Sequence, residues 1–287
     1  MENISEILEQ KIKEAKERST YLISGSKEQE KSTIQTSYDC EICKDTEWID
    51  IKDELGLITS TKPCKCVEIK RYKRILEKSG ISKDFLKIGF KEFETEGKHE
   101  TVIKAKEAAI SYFKNFQDIK NTRKNSITFL SKNYKLKDLG LIKTGVGAGK
   151  THLSIALANN IMNKHRIGVL YMPYRDVITK LKQNMIDEEY YQREVDKFKN
   201  ASVLLIDDLF KGKINGSDIN IMFEIINHRY LNNKPIICSS EFGKDDLISF
   251  DQATGSRILE MSKDYLVEIG LSREELIQGK TINYRLS

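Results

Sequence analysis

Apolar residues recur along this chain at two spacings, and the change from one to the other divides it. Ile4, Ile7, Leu8, Ile12 and Ala15 follow a helical period with Glu and Lys between them, which predicts an amphipathic helix of about three to four turns. That helix packs either on the chain's own next segment or on a partner helix. Residues 24–37 mix Gly25, several Ser and Thr, and both signs of charge, the composition of a linker. Residues 1–36 are therefore read as an N-terminal helix and linker. Residues 47–51 (EWIDI) and 56–59 (GLIT) have the pattern of two short hairpin strands. Residues 67–78 (VEIKRYKRILEK) form a basic helix that ends at Gly80. Its Lys70, Arg71, Lys73 and Arg74 either meet phosphates or make a solvated face. A connector over 81–94 and an amphipathic helix over 100–116 fill residues 81–125, with Val102, Ala105, Ala109, Ile110 and Phe113 on one helix side.

From residue 126 onward short apolar runs alternate with helical periods. Residues 126–130 (SITFL), 139–143 (LGLIK, counted with its leading Leu139), 167–172 (IGVLYM), 203–206 (VLLI) and 235–238 (PIIC) read as strands. Residues 175–185, 188–198 and 218–231 read as helices. Such alternation predicts an α/β fold, a parallel sheet with helices on both faces, over residues 126–287. Between the first two runs lies the polar, lysine-rich stretch 131–138, either a solvated loop or a DNA contact. Either run feeds the loop that follows; adjacency favours residues 139–143.

That loop organises the chain. Thr144-Gly145-Val146-Gly147-Ala148-Gly149-Lys150-Thr151, then His152, reads as a phosphate-binding loop opening a helix. Its glycines let backbone N–H groups cradle phosphates, Lys150 reaches the β- and γ-phosphates, and the Thr151 hydroxyl ligates Mg²⁺. Residues Gly145 to His152 are the expected contacts of ATP. Thr144 is the departure, since it stands where the pattern has its first glycine. The buried strand 203–206 then ends in Asp207 and Asp208, carboxylates at the edge where ligands of parallel sheets bind. Asp207 is expected to hold Mg²⁺ and Asp208 to polarise the attacking water. Strand 235–238 ends in Ser239-Ser240-Glu241, where a polar side chain would orient that water. Residues 255–261 (GSRILEM) are read as a late helix with Arg257 in its first turn, either an arginine reaching a neighbouring subunit's γ-phosphate or a surface ion pair.

The cysteines add a second chemistry. Cys40 and Cys43 form one close pair, and Cys64 and Cys66 another, twenty residues further on. Two thiolate pairs at this distance match a structural zinc site stapling the small module 37–80; the alternative is four reduced cysteines packed as small hydrophobes. Cys238 sits alone in an apolar run and reads as core. A net charge of +5 permits a nucleic-acid partner without requiring one. The N-terminus is too charged for a signal peptide and no apolar run is long enough to span a bilayer. A cytoplasmic protein with no membrane partner is expected.

With these pieces in order, the chain resembles the DnaC/DnaI-type helicase loaders of the AAA+ superfamily. The resemblance rests on CEICKDTEW with the later CKC, GVGAGKTHLSIALAN, VLYMPYRDVITKLKQN, VLLIDDLF, KPIICSSE and GSRILEM, which span most of residues 38–265. It implies an AAA+ ATPase that binds a hexameric replicative DNA helicase through its N-terminal part and single-stranded DNA through its AAA+ part. It also implies self-assembly through the AAA+ domain, with Arg257 as arginine finger. Ser240 and Glu241 fall on the family's first sensor, with Ser240 the better candidate because a carboxylate repels the γ-phosphate. Asp208 stands where many AAA+ proteins carry Glu, which implies slow, switch-like hydrolysis. Two other readings compete: an IstB-like ATPase assisting a DNA transposase, and a regulatory ATP-binding adaptor without DNA contact.

Overall fold

The computed structural model describes residues 38–136, 140–280 and 282. They fall into two units, the first ending at Cys64 and the second beginning at Lys65. The N-terminal helix and linker expected over residues 1–36 lie outside the described residues. In the first unit, β1 (Trp48–Lys52) and β2 (Ile58–Pro63) pair antiparallel, with Trp48 opposite Pro63 and Ile51 opposite Ser60. The Asp53 carboxylate accepts the Leu55 and Leu57 N–H groups and so shapes the turn. Trp48, Ile51, Leu55, Leu57 and Ile58 are all exposed. The hairpin thus lacks a core of its own, as its size dictates.

The second unit opens with α1 (Cys66–Lys78), a single 3₁₀ turn at Phe85–Lys87, and α2 (Glu100–Ile119). The α2 face Val102, Ala105, Ala109, Tyr112 and Phe116 is buried at helical spacing, and the His99 ring caps the helix by accepting the Thr101 N–H. There follow β3 (Ile127–Ser131), β4 (Asn133–Leu136), β5 (Gly140–Lys143), α3 (Lys150–Asn160), β6 (Val169–Pro173), α4 (Tyr174–Gln183), α5 (Glu188–Asn200) and β7 (Val203–Asp207). The chain continues with α6 (Gly216–Leu231), β8 (Ile236–Ser239), α7 (Lys244–Phe250), α8 (Gln252–Met261), β9 (Leu266–Ile269) and α9 (Arg273–Ile277). Five strands form one parallel sheet in the order β6-β7-β8-β3-β9. One face packs on α2 and α3 through Val102, Tyr112, Leu153 and Leu157; the other packs on α4 to α8 through Ile178, Phe198, Ile225 and Ile258. This is the α/β fold of a P-loop protein, with both faces covered. Among the described residues no helix is long and apolar enough to cross a membrane.

Three expectations need correction. The sheet strand that leads to the phosphate loop is β3, not residues 139–143. Every residue of β3 is buried between β8 and β9, whereas β5 pairs antiparallel with β4, outside the sheet. The stretch expected as a polar insert therefore supplies half of a hairpin placed between strand and loop. The sheet also has a fifth strand, β9, which flanks β3 and carries too few apolar residues for its pattern to stand out. Finally, the late helix begins at Gln252, capped by the Asp251 carboxylate accepting the Thr254 N–H. Arg257 is then in its second turn. Gly255 lies inside the helix because α7 approaches it closely: a Cβ there would fall 2.7 Å from the Leu247 carbonyl oxygen.

Behind the sheet, Arg229 of α6 is fully buried, and among the described residues no carboxylate pairs with it. Its guanidinium donates to the carbonyls of Phe198, Lys199 and Ala201 at the end of α5 and of Pro235 before β8, at 2.7–3.2 Å. Burial lowers its pKa to about 9, so at neutral pH it is a buried cation held by carbonyl dipoles. Replacing it by Met keeps the apolar stem and removes the guanidinium from all four carbonyls, of which Pro235 keeps the Leu204 N–H. Arg229→Met is expected to cost roughly 3 kcal/mol or more, read as a lower urea midpoint with an unchanged m-value.

Candidate functional site

The phosphate loop joins the hairpin to α3, and its glycines do two different jobs. Gly147 and Gly149 have φ of 72° and 84°, the left-handed turn that exposes successive N–H groups at the start of α3. Gly145 instead answers a close approach: a Cβ there would lie 2.2 Å from the carbonyl oxygen of Ile269 in β9. Thr144, the departure from the usual pattern, has its own structural reason. Its hydroxyl donates to the Lys132 carbonyl (2.8 Å) and accepts the Leu271 N–H (3.1 Å), while its own N–H also reaches Lys132 (3.1 Å). The chain enters the loop from a hairpin, so this position needs a hydrogen-bonding junction and ordinary backbone angles.

Lys150 and Thr151 turn to the ends of the strands. The Lys150 ammonium donates to Ser131 Oγ (2.8 Å) and the Gly145 carbonyl (2.7 Å), and burial lowers its pKa to about 8. Thr151 Oγ1 donates to Asp207 Oδ1 at 2.8 Å. Asp207 also accepts from Ser239 Oγ (2.6 Å) and Tyr171 OH (3.2 Å). Burial raises the Asp207 pKa, and the Ser239, Thr151 and Tyr171 hydroxyls pull against that rise. The arrangement gives a carboxylate and a threonine hydroxyl side by side at the first turn of a phosphate-loop helix, a donor set that suits Mg²⁺.

A cavity of about 220 Å³ runs over this loop. Gly147 to His152 line it, with Phe85, Ile88 and Ile155 at its apolar part and Asp208, Lys211 and Glu241 among its charged groups. Asp208 has φ 55°, and its N–H donates to Ser239 Oγ. Its carboxylate accepts from Lys211 at 2.8 Å; Glu241 accepts from the same ammonium at 3.1 Å and lies 3.7 Å from Lys143. Burial alone would raise the Glu241 pKa, but Lys211, Lys143 and Lys150 hold it below the usual carboxylate range. Burial would lower the Lys211 pKa, but Asp208 and Glu241 hold it above the usual ammonium value.

The predicted residues are thus brought together in large part. Lys150, Thr151, Asp207, Asp208 and the loop from Gly147 to His152 share the site. Gly145 contributes its carbonyl to Lys150, and Val146 is exposed at the apex. Ser240 does not join them: fully buried, it donates to the Leu209 carbonyl, and its neighbour Glu241 reaches the cavity instead. Arg257 does not line the cavity. It donates to Asn227 Oδ1 (3.0 Å) and the Ala253 carbonyl (2.7 Å), and lies over the rings of Phe223 and Tyr230. Of the tip Ser239-Ser240-Glu241 it is Ser239 that meets Asp207, and Tyr171 and Lys211 join the site without having been predicted to. Strand register holds the signal for Ser239: Leu204 to Ile206 pair with Ile236 to Cys238, and one step further sets Ser239 beside Asp207.

The cysteines gather as expected. The four sulfurs of Cys40, Cys43, Cys64 and Cys66 lie within 4.8 Å of one another, with 3.8 Å between Cys40 and Cys64. A tetrahedral ion with bonds of about 2.3 Å to sulfur needs edges of about 3.8 Å, so the set fits zinc. Lys44 and Asp45 adopt left-handed angles at the first pair, and the Asp45 carboxylate accepts the Asp39 and Cys40 N–H groups. The Cys43 backbone N–H lowers the Cys40 pKa to about 7, toward the thiolate a metal requires.

Comparison with known proteins agrees with this geometry. Residues 106–261 match the family model of the IstB-like ATP binding protein. The phage-like element PBSX protein XkdC of Bacillus subtilis (strain 168) is 38% identical over 244 residues, 83% of this chain and 85% of XkdC. Protein YqaM of the same strain is 36% identical over 243 residues, 83% of this chain and 70% of YqaM. The crystal structure of the DnaC helicase loader aligns with a TM-score of 0.52 at 21% identity, covering 66% of this chain and 99% of the loader chain, which shows a common fold.

Two outcomes are expected of the site. Gly145→Ala forces a methyl group against the Ile269 carbonyl, so binding of a fluorescent ATP analogue should fall by about tenfold or more and the melting temperature should drop. Thr144→Ser keeps the junction hydroxyl and should leave both near wild type. Lys150 gives a pH signature. Its folded pKa of about 8 lies below the unfolded value near 10.4, so between these values the unfolded chain holds the proton and the folded chain does not. Stability of the wild type relative to Lys150→Met should therefore rise with pH across that window, by up to roughly 3 kcal/mol, in urea titrations at fixed pH.

Proposed function

Since the chain belongs to the IstB-like ATP-binding protein family and has the AAA+ fold, we propose that it loads a replicative DNA helicase onto single-stranded DNA, with ATP as the switch. The observation that carries this reading is the pairing, in one chain, of a four-thiolate cluster with a complete phosphate-loop site. An ATPase needs only the second. The first adds a metal-stapled module whose exposed hairpin offers Trp48, Leu55, Leu57 and Ile58 for docking. In this division of labour residues 37–80 hold zinc on Cys40, Cys43, Cys64 and Cys66 and dock the hexameric helicase. Residues 126–287 bind ATP and the DNA strand.

At the nucleotide site, Thr151 and Asp207 would hold Mg²⁺, whose charge would offset that of the phosphates. Lys150 would leave Ser131 and Gly145 for the β- and γ-phosphates. Asp208 would orient the attacking water, and its ion pair with Lys211 supports a slow hydrolytic step more than a fast motor. Arg257, held by Asn227, would reach a second copy's γ-phosphate only in a self-assembled state. Ser240 supports the Leu209 turn and carries no sensor role in this reading. A cytoplasmic setting follows from a partnership with the replication machinery.

The family name favours a second reading, an IstB-like ATPase that assists a DNA transposase. The partner decides between them. Mixed with its host's replicative helicase and weighed by native mass spectrometry, the protein should carry one zinc ion per chain and form a defined complex whose stability depends on ATP. Cys40→Ser with Cys43→Ser should lose both the zinc mass and the complex. No helicase complex under either nucleotide condition would overturn the loader reading and bring the transposase forward as the partner.

A further inference from the structure

The phosphate end of the cavity gathers carboxylates as well as lysines. Asp207, Asp208 and Glu241 lie near the place where a triphosphate must sit, and Mg²⁺ accounts only for the first. Glu241 is the difficult one. It reaches the cavity from beyond the end of β8, where it would repel the terminal phosphate if left bare.

The structure supplies its counter-charge from an unexpected place. Directly after β7 the chain makes a tight turn: Asp208 and Phe210 adopt left-handed angles, and the Lys211 N–H returns to the Asp208 carbonyl. The turn is anchored on both sides. The Leu209 N–H donates to the Ser239 carbonyl, and Phe210 is fully buried edge-on against Tyr174 and Phe250. A rigid base therefore presents Lys211 to the cavity mouth, where its ammonium bridges Asp208 (2.8 Å) and Glu241 (3.1 Å). The side chain is 42% exposed, so it can swing toward a ligand without unpacking the core.

We propose that Lys211 screens Asp208 and Glu241 and turns to the terminal phosphate of ATP when it binds. The inference rests on the ATP-switch reading above and adds how the switch tells ATP from ADP. With ADP the ammonium stays on its two carboxylates, and Asp208 remains engaged. With ATP the γ-phosphate offers a denser negative charge, and Asp208 is released to orient water. Lys143, 3.7 Å from Glu241, keeps that carboxylate paired after Lys211 has moved.

The test is the dissociation constant of β,γ-methylene ATP against that of ADP, each with Mg²⁺, measured by calorimetry on the full chain. Lys211→Ala should weaken the triphosphate analogue by about tenfold, the equivalent of about 1.4 kcal/mol, and ADP by less than about threefold. Lys211→Arg, which keeps the charge, should keep the wild-type preference. Equal weakening of both nucleotides, no weakening, or loss of the preference in Lys211→Arg would overturn the proposal. If Lys211→Ala melts early, Lys211→Gln, which keeps a polar side chain without the charge, carries the same comparison. Wild-type protein that binds neither nucleotide would instead overturn the ATP reading itself, so the two failures are distinct.

Discussion

Asp207 ends a strand whose other residues are fully buried, and its carboxylate is held by three hydroxyl groups from three different elements. Thr151 comes from the phosphate-loop helix, Ser239 from the strand on one side and Tyr171 from the strand on the other. A buried carboxylate without such donors would be neutralised or expelled. With them it becomes the point at which the loop, β6, β7 and β8 share one set of positions. Any displacement of Thr151 is felt by Asp207, and through Asp207 by both neighbouring strands. The site is therefore a property of the sheet's edge rather than of the loop alone.

The other side of the loop is tied as firmly, by different means. Lys132 donates its N–H to Ile269 and its carbonyl accepts twice from Thr144, whose hydroxyl also takes the Leu271 N–H. Gly270, at φ 153°, leaves room for that hydroxyl: a Cβ there would lie 2.2 Å from it. The β4–β5 hairpin can thus be inserted between β3 and the loop without disturbing either, because its base is closed by the same hydrogen bonds that would otherwise join strand to loop. The insertion costs little in closure entropy. Its last residue, Lys143, is the one that reaches Glu241.

Much of this was legible in the residues. The glycine spacing, the acidic tip of β7 and the thiolate pairs each follow a local rule, and the structure places each where that rule requires. What stayed hidden depends on non-local pairing. Choosing between β3 and β5 needs the knowledge that β9 exists to flank β3, and β9 offers only four residues, one of them Glu268, to announce itself. The choice between Ser239 and Ser240 turns on a strand's two-residue alternation, where a shift of one residue exchanges contact with Asp207 for contact with the Leu209 carbonyl. Lys211 carries no sequence signal, because lysines after a strand are ordinary; only the left-handed turn at Asp208 and Phe210 aims it back into the site. That a carboxylate repels phosphate argues against Glu241 only as long as the two lysines beside it, Lys143 and Lys211, are not in view.

These ties have an energetic consequence for the site as a whole. Lys150 is bonded to Ser131 and Gly145, Thr151 to Asp207, and Lys211 to Asp208 and Glu241, so the groups that would meet a magnesium nucleotide already have protein partners. Nucleotide binding is then an exchange of hydrogen bonds and ion pairs, and its free energy is the difference between two nearly satisfied networks. Such a difference is small compared with either network and is sensitive to one phosphate more or less. A site built for tight storage would leave its cations unpaired and waiting. A site whose cations are already paired suits a protein that must change state, because the partners released by the ligand, Asp208 and Glu241 among them, are set free at the moment of binding.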